Sequence, residues 1–277
     1  MAISFPLIAL SSLEQEIGFQ IFIRSTNGTI TTPRGKDFIR HASIIISEYD
    51  KMRGIYTGDN RLSFSCASPP LPYTAKAFTK LFNKYCSEDR IDFTLFEGSF
   101  QDCCSRVMLH MASIAIAVVP QAAESEHRRI LEDGGLQAFK LISLPYYLKF
   151  RAGHPLLASQ TADSLDLSLL EAYPSIDYQC GSYDCQPGIY NYNNKIILNS
   201  RKRLHTNSMD YKISCLLSTD GYSISLGRLG DKEHEQGIDS IPLQSLADVY
   251  YVKNKGVKLS KQSVEFIEFL QEELLKA

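Results

Sequence analysis

The stretch SLEQEIGFQIFIRSTNGTITTPRGKDFIRHA, Ser12 to Ala42, constrains the fold more tightly than any other part of the chain. Ser12 to Ile17 reads as the end of a helix, and Gly18 is its breaker, because glycine adopts the left-handed backbone that closes a helix without steric cost. Phe19 to Ile23 reads as a short apolar strand closing on Arg24. Asn27-Gly28 is a dipeptide favoured in tight hairpins, since both residues tolerate positive φ, and the β-branched run Thr29 to Thr32 supplies a return strand. Pro33, Arg34 and Gly35 then open a helix. The predicted order is helix, two-stranded wing, helix.

From Lys36 to about Tyr56 the second helix carries Phe38, Ala42, Ile45, Tyr49, Met52 and Tyr56 in steps of four and three, the seam of a coiled coil. Periodicity alone fits equally well a single amphipathic helix packed on its own domain. Gly58, Asp59 and Asn60 end it. Leu62, Phe64 and Cys66 alternate as a strand, Phe78, Leu81, Phe82 and Tyr85 stripe a helix, and Ile91 to Phe96 form a second strand. Ser99 to His110 make a second helix, and Ala112 to Val119 is the continuous apolar run of a buried parallel strand. This βαβαβ pattern builds an open α/β sheet whose strand ends face a crevice where ligands sit. Further on come Gln137 to Ala152, the loop His154-Pro155-Leu156, a helix near Asp166 to Ala172, and a strand at Ser175 to Tyr178. The run Cys215 to Gly227 follows, then a strand at Leu246 to Lys253 and a closing helix striped by Val264, Phe266, Ile267, Leu270 and Leu274.

In their order and spacing, Leu13, Glu14, Glu16, Gly18, Phe22, Arg24, Thr32 and Gly35 resemble the winged helix-turn-helix of LysR-type transcriptional regulators, and the later features, HPL among them, extend the resemblance over nearly the whole chain. It implies a partial winged helix-turn-helix at 1–35, a linker helix at 36–57 that pairs two subunits, and a two-lobed effector domain of periplasmic-binding-protein-like fold at 58–277. Lobe I would span about 60–120 and 228–277 and lobe II about 121–227, with crossings near Pro120 and Leu226. Family members typically place Ser and Arg where this chain has Pro6, Leu7 and Ile8, and they carry one whole helix and the first half of the helix-turn-helix before that point. The expectation is therefore an incomplete winged helix, a Met1 that is a misplaced or truncated start, and weak DNA binding in which Arg24, Thr32 and Arg34 of the wing supply the contacts.

Composition agrees with a confined nucleic-acid contact. Net charge is −2 and the pI is near 6.3, and up to Ser47 the basic residues Arg24, Arg34, Lys36 and Arg40 stand against Glu14, Glu16 and Asp37. Phosphate neutralisation supplies most of a duplex binder's affinity, so this balance is poor for one. The opening MAISFPLIAL is expected to be neither secretory signal nor membrane anchor, which counts against a solute-binding protein of similar fold. Seven cysteines, an odd number without framework spacing, point to a reducing cytoplasm.

No P-loop, dinucleotide fingerprint, nucleophile elbow or metal spacing is present, so the expectation is a switch, not an enzyme, using neither metal nor cofactor. Its partners would be DNA, further copies of itself as a dimer or tetramer, and a small effector. Ser68 and Ser99 stand just before helices, where hydroxyls and free N–H groups favour an anion. The crevice contacts are accordingly placed at Ser68, Pro69 and Pro70, at Ser99, at Gly181 and Ser182, and at Thr206 and Ser208. Cys180 falls where the peroxide-sensing branch of the family carries its reactive cysteine, with Cys185 close behind it. They form an alternative redox site, although the gap differs and no activating positive charge surrounds them. Cys103-Cys104 is read as two packing residues, since adjacent helical side chains diverge.

Overall fold

A computed structural model describes residues 4–25, 28–57, 61–158, 166–178, 190–192, 195–197, 200–228 and 236–276. The chain divides into two compact units, Met1–Arg61 with Met108–Met111, and Leu62–Val107 with Ala112–Ala277.

The first unit holds helix α1 (Ser4–Ile17), strands β1 (Phe22–Ser25) and β2 (Gly28–Thr31), and helix α2 (Pro33–Thr57). Gly18, at φ 76°, ends α1 as its residue type requires. The two strands pair antiparallel with Phe22 opposite Thr31. The first strand begins three residues later than the run Phe19 to Ile23 suggests, for a specific reason. The Glu14 carboxylate accepts from the backbone N–H groups of Ile21 (2.6 Å) and Phe22 (3.0 Å), and Phe19 turns aside to set its ring edge against Phe38, with centroids 6.2 Å apart. Asn27 lies outside the described residues. Thr32 then locks the base of the hairpin: its hydroxyl donates to the Gln20 carbonyl (2.7 Å) and accepts from Gly35 N–H (2.8 Å). A Cβ at Gly35 would overlap the carbonyl of Ile21, so only glycine lets α2 start this close to the hairpin.

In the second unit eight of the ten described strands form one sheet. Its first half begins with β3 (Leu62–Ser68), β4 (Ile91–Glu97) and β5 (Ile114–Pro120), all parallel, with β3 in the middle. Between them lie α3 (Pro72–Tyr85) and α4 (Phe100–Met108), and α5 (Glu124–Asp133) follows β5. The second helix of the sequence reading is thus shorter than Ser99 to His110, because Ser99 is its cap and His110 takes a left-handed φ of 56°. Two long strands, β6 (Leu136–Arg151) and β12 (Ile238–Asn254), run antiparallel to one another. The second half adds β7 (Ser175–Tyr178), β10 (Arg203–Thr206), α7 (Met209–Ser218) and β11 (Tyr222–Leu226), after the short helix α6 (Pro155–Ala158). A separate small hairpin joins β8 (Tyr190–Tyr192) to β9 (Lys195–Ile197), and α8 (Lys261–Leu274) closes the chain.

The helix read near Asp166 to Ala172 is a 3₁₀ turn at Leu167–Ala172, capped by Asp166, which accepts from Ser168 N–H at 3.1 Å. Strand β12 starts at Ile238, eight residues before Leu246, because Pro242 interrupts the pattern: the ladder shifts register between Pro242 and Leu246, where proline has no N–H to offer. At that irregularity the long strands change partners. Asn254 to Leu246 of β12 pair with Leu136 to Pro145 of β6 beside β5, whereas Pro242 to Ile238 pair with Tyr147 to Arg151. Tyr146 to Phe150 also pair with β11. The sheet thus changes character at Pro145 and at 242–246, further along the chain than Pro120 and Leu226.

Each half has its own core. In the first, Phe64, Phe78, Phe93 and Phe266 meet with ring centroids 5.2 to 6.4 Å apart, and Leu81 and Leu270 bring α3 and α8 together over the sheet. In the second, Leu148, Phe150, Leu170 and Tyr222 fill one face and Ile176, Leu216 and Ile238 the other. His154 of the HPL loop is fully buried: its Nε2 meets the Asp220 carbonyl at 2.9 Å and its Nδ1 accepts from Leu156 N–H. Its role is to fix a turn. Among the described residues no helix is long and apolar enough to cross a membrane.

Candidate binding crevice

The burial sequence Leu148, Lys149, Phe150 is unusual for a strand, since neighbours point to opposite faces and all three are buried. Leu148 and Phe150 enter the apolar core, so Lys149 must lie on the other face, which α7 covers. Strand register puts Ser223 of β11 directly opposite Lys149. On α7 the covering stripe is Met209, Lys212, Ile213 and Leu216, with a second lysine at a position that helical periodicity assigns to the interior. These residues, with Ser225 and with Pro70 and Leu71 from the β3–α3 connection, line a cavity of about 130 Å³.

Its electrostatics are lopsided. Lys149 and Lys212 retain 4% and 7% of their exposure. Lys212 Nζ donates to Ser225 Oγ at 3.1 Å. Burial, reinforced by the nearby Lys149 charge and opposed by Asp177, lowers Lys212 from 10.5 to about 8. Ser223 is 1% exposed, and its Oγ is buried with no hydrogen-bond partner among the described residues. Buried hydroxyls nearly always find one, so this atom stands out within the fold.

The residues expected from the sequence fall around this cavity unevenly. Pro70 lines it. Ser68 donates to the Pro69 carbonyl (2.6 Å) and to Thr74 Oγ1 (3.1 Å), steadying the start of α3. Ser99 forms a reciprocal cap with Asp102, donating to its carboxylate at 2.7 Å and accepting from its N–H at 3.1 Å. Thr206 Oγ1 accepts from Ser208 N–H, and Ser208 caps α7 through Tyr211 N–H. Gly181, Ser182, Cys180 and Cys185 lie outside the described residues. Sequence reasoning passed over Lys149, Lys212, Ser223 and Ser225, although a lysine inside an apolar strand run and another in a helix's apolar stripe were the available signal.

In the first unit, Arg24 sits on β1 with its backbone opposite Thr29, Thr32 is engaged in the clamp already described, and the Arg34 guanidinium lies 5.9 Å over the Phe19 ring. Along α2, Phe38 packs on Phe19 and Ala42 is half-buried, but Ile45, Tyr49, Met52 and Tyr56 are 69%, 55%, 49% and 83% exposed. Cys66, Cys103 and Cys104 are buried. Burial pushes the Cys104 thiol up to about 12, and that of Cys66 well above its ordinary value, Cys103 adding to the shift.

No protein-family model and no curated protein matches the sequence. Solved structures do match the fold. ArgP from Mycobacterium tuberculosis aligns with a TM-score of 0.60 at 12% identity, over 96% of this chain and 86% of that one. The full-length LysR-type regulator LysG from Corynebacterium glutamicum, solved with arginine bound as effector, aligns at 0.56 and 12% identity, over 97% and 87%. A full-length OxyR variant from Pseudomonas aeruginosa aligns at 0.55 and 17%, over 97% and 84%. The chain shares its fold with these regulators.

Proposed function

We propose that the chain is a LysR-type transcriptional regulator, a cytoplasmic homo-oligomer controlled by a small molecule bound in the crevice, and a switch rather than a catalyst. Residues 36–57 act as the linker that pairs subunits, and 58–277 as the effector domain. What carries this reading is one observation: a single chain joins, in order, a wing, a 25-residue helix bearing an unburied apolar row, and a two-part sheet enclosing a lysine-lined cavity, and this order aligns along nearly its whole length with full-length regulators. Ile45, Tyr49, Met52 and Tyr56 present aromatic and aliphatic surface along one side of α2, which suits a second copy of the same helix better than water.

Duplex DNA is bound weakly by this chain and with little discrimination. The helix before the wing opens with Phe5, Pro6, Leu7 and Ile8, which offer bases no hydrogen bonds, whereas each good bidentate contact contributes about 1–3 kcal/mol of discrimination. Arg24 and Arg34 remain for phosphate, giving affinity that falls steeply with salt. Light scattering and fluorescence anisotropy against the gene's own upstream DNA test both parts. The expected result is a dimer or tetramer that dissociates in Tyr49→Glu with Met52→Glu, together with weak DNA binding that competitor removes. A wild-type chain that is monomeric at all accessible concentrations overturns the assignment. Tight, competitor-resistant binding overturns the account of DNA.

A further inference from the structure

Lys212 reaches the cavity beside α7 from the apolar side of its helix. It is 7% exposed, and it lines the cavity together with Ser225, whose hydroxyl accepts from its Nζ at 3.1 Å. Leu71, Ile213, Leu216 and Ile238 belong to the same wall. A second lysine, Lys149 on β6, is 4% exposed and lines the cavity too, close enough for its charge to act on Lys212. Asp177 on β7 acts in the opposite sense, and its carboxylate also accepts from the Ser175 hydroxyl at 3.0 Å. Burial and Lys149 together outweigh Asp177, so the Lys212 ammonium gives up its proton at about pH 8 instead of 10.5. At pH 7 about one Lys212 side chain in ten is then a free amine, against roughly one in three thousand for a solvated lysine.

A lysine desolvated in an apolar cavity beside another cation has the two features that turn this residue from a solubilising charge into a nucleophile. We infer that Lys212 is a reactive amine that takes an aldehyde or ketone from the cavity as an imine, with Lys149 as the neighbouring charge that activates it and the apolar wall receiving the carbon substituents. The Nζ lone pair attacks the carbonyl carbon to give a carbinolamine, which loses water as a C=N bond replaces C=O. The step consumes no oxidant or reductant, and water reverses it. An imine is a weaker base than an amine, so the reaction also relieves the charge that burial penalises. The site goes beyond the regulator reading and does not rest on it.

Reductive trapping on the whole chain tests the assignment. The protein is mixed at pH 7 with a limiting amount of propionaldehyde, sodium cyanoborohydride and N-acetyl-lysine amide as a reference amine, and propylated lysines are located by peptide mass spectrometry. Lys212 is expected to be labelled before the chain's other lysines, and at least about tenfold faster than the reference. Between about pH 7 and pH 9 that advantage should shrink roughly tenfold, because Lys212 is largely deprotonated above pH 8 while the reference goes on gaining free amine. A lysine that is merely well placed for the aldehyde would keep a constant advantage. Lys149→Met should slow Lys212 labelling by at least about threefold, and Lys149→Arg, which keeps the charge, should preserve it, separating lost charge from a lost fold. Three results overturn the inference: labelling of Lys212 no faster than the reference, a ratio between the two that does not change with pH, or labelling that Lys149→Met leaves undiminished. Oligomeric state, on which the regulator reading stands or falls, decides none of these outcomes.

Discussion

The hairpin base half-buries its polar side chains and the crevice buries them, and the two treat them in opposite ways. At the hairpin base Glu14 accepts two backbone N–H groups through one oxygen, and Thr32 both donates and accepts, so both side chains help hold the unit's own backbone. In the crevice, among the described residues, Lys212 has one hydrogen-bond partner and Ser223 Oγ none. Residues that make a sequence signature therefore build the fold in the first region, and residues at odds with the local pattern equip the second to receive something. Polar groups with complete internal partners stabilise the folded chain, whereas incompletely partnered ones cost stability until a ligand arrives.

Substitutions in the two regions should then differ in sign. The largest effect is expected at the hairpin base. Gly35→Ala drives a methyl into the Ile21 carbonyl and should destabilise the first unit by about 3 kcal/mol or more, the range for overpacking against a backbone that cannot yield. Limited proteolysis and hydrogen exchange over residues 20–40 report it, and a wild-type profile would break the clamp. Glu14→Ala leaves two N–H groups without their acceptor and should cost about 2–3 kcal/mol, with faster exchange at Ile21 and Phe22. Unchanged exchange there would dissolve the contrast.

Lys212→Met is expected to go the other way, stabilising the ligand-free protein by about 1–2 kcal/mol at neutral pH, because a buried ammonium gives way to a side chain of similar length. The folded-state pKa is lowered from 10.5 to about 8, so the unfolded chain holds the extra proton between those values. The cost of burying Lys212 is then complete below about pH 8 and fades as pH rises toward 10.5. Denaturant titrations of wild type and variant should accordingly converge at alkaline pH. A gap constant with pH would assign the effect to packing.

The smallest and sharpest comparison uses one chemical change twice. Ser99→Ala removes a reciprocal helix cap and should cost about 1 kcal/mol. Ser223→Ala removes a hydroxyl that has no hydrogen-bond partner among the described residues and should be neutral or slightly stabilising. Equal losses at both would mean that Ser223 is structurally engaged after all.

Much of the fold was legible because its elements announce themselves locally. Ile114 to Val119 is apolar throughout, as a strand covered on both faces must be, and Gly18 and Pro33 punctuate their helices. The reach of β12 was not legible, because Pro242 and the polar residues around it hide the continuity that the ladder restores from its partner strands. Of the crevice contacts expected from the sequence, Pro70 lies along the cavity. Ser68 and Ser99 are bound up in local hydrogen bonds, since the positions just before a helix that suit an anion suit a cap equally well. Lys149 and Lys212 went unnoticed because a single buried charge can be recognised only once register shows which face it occupies.

Strand β12 lies at the centre of the sheet, between β6 and β5, yet it is the last of the described strands to be synthesised. Until residues 238–254 leave the ribosome, β5 and β6 each present an open edge to whatever is nearby, and the four strands β10, β7, β11 and β6 have no ladder joining them to β5, β3 and β4. The nascent chain must keep two incomplete sheets apart from one another and from other chains, a state prone to association. Closing them requires pairings between residues more than a hundred positions apart, such as Val249 with Val118, which is slow in proportion to that separation. A transcript broken before codon 238 would therefore yield two adhesive half-sheets on one chain, and the demand for chaperone protection should peak in the last seconds of translation.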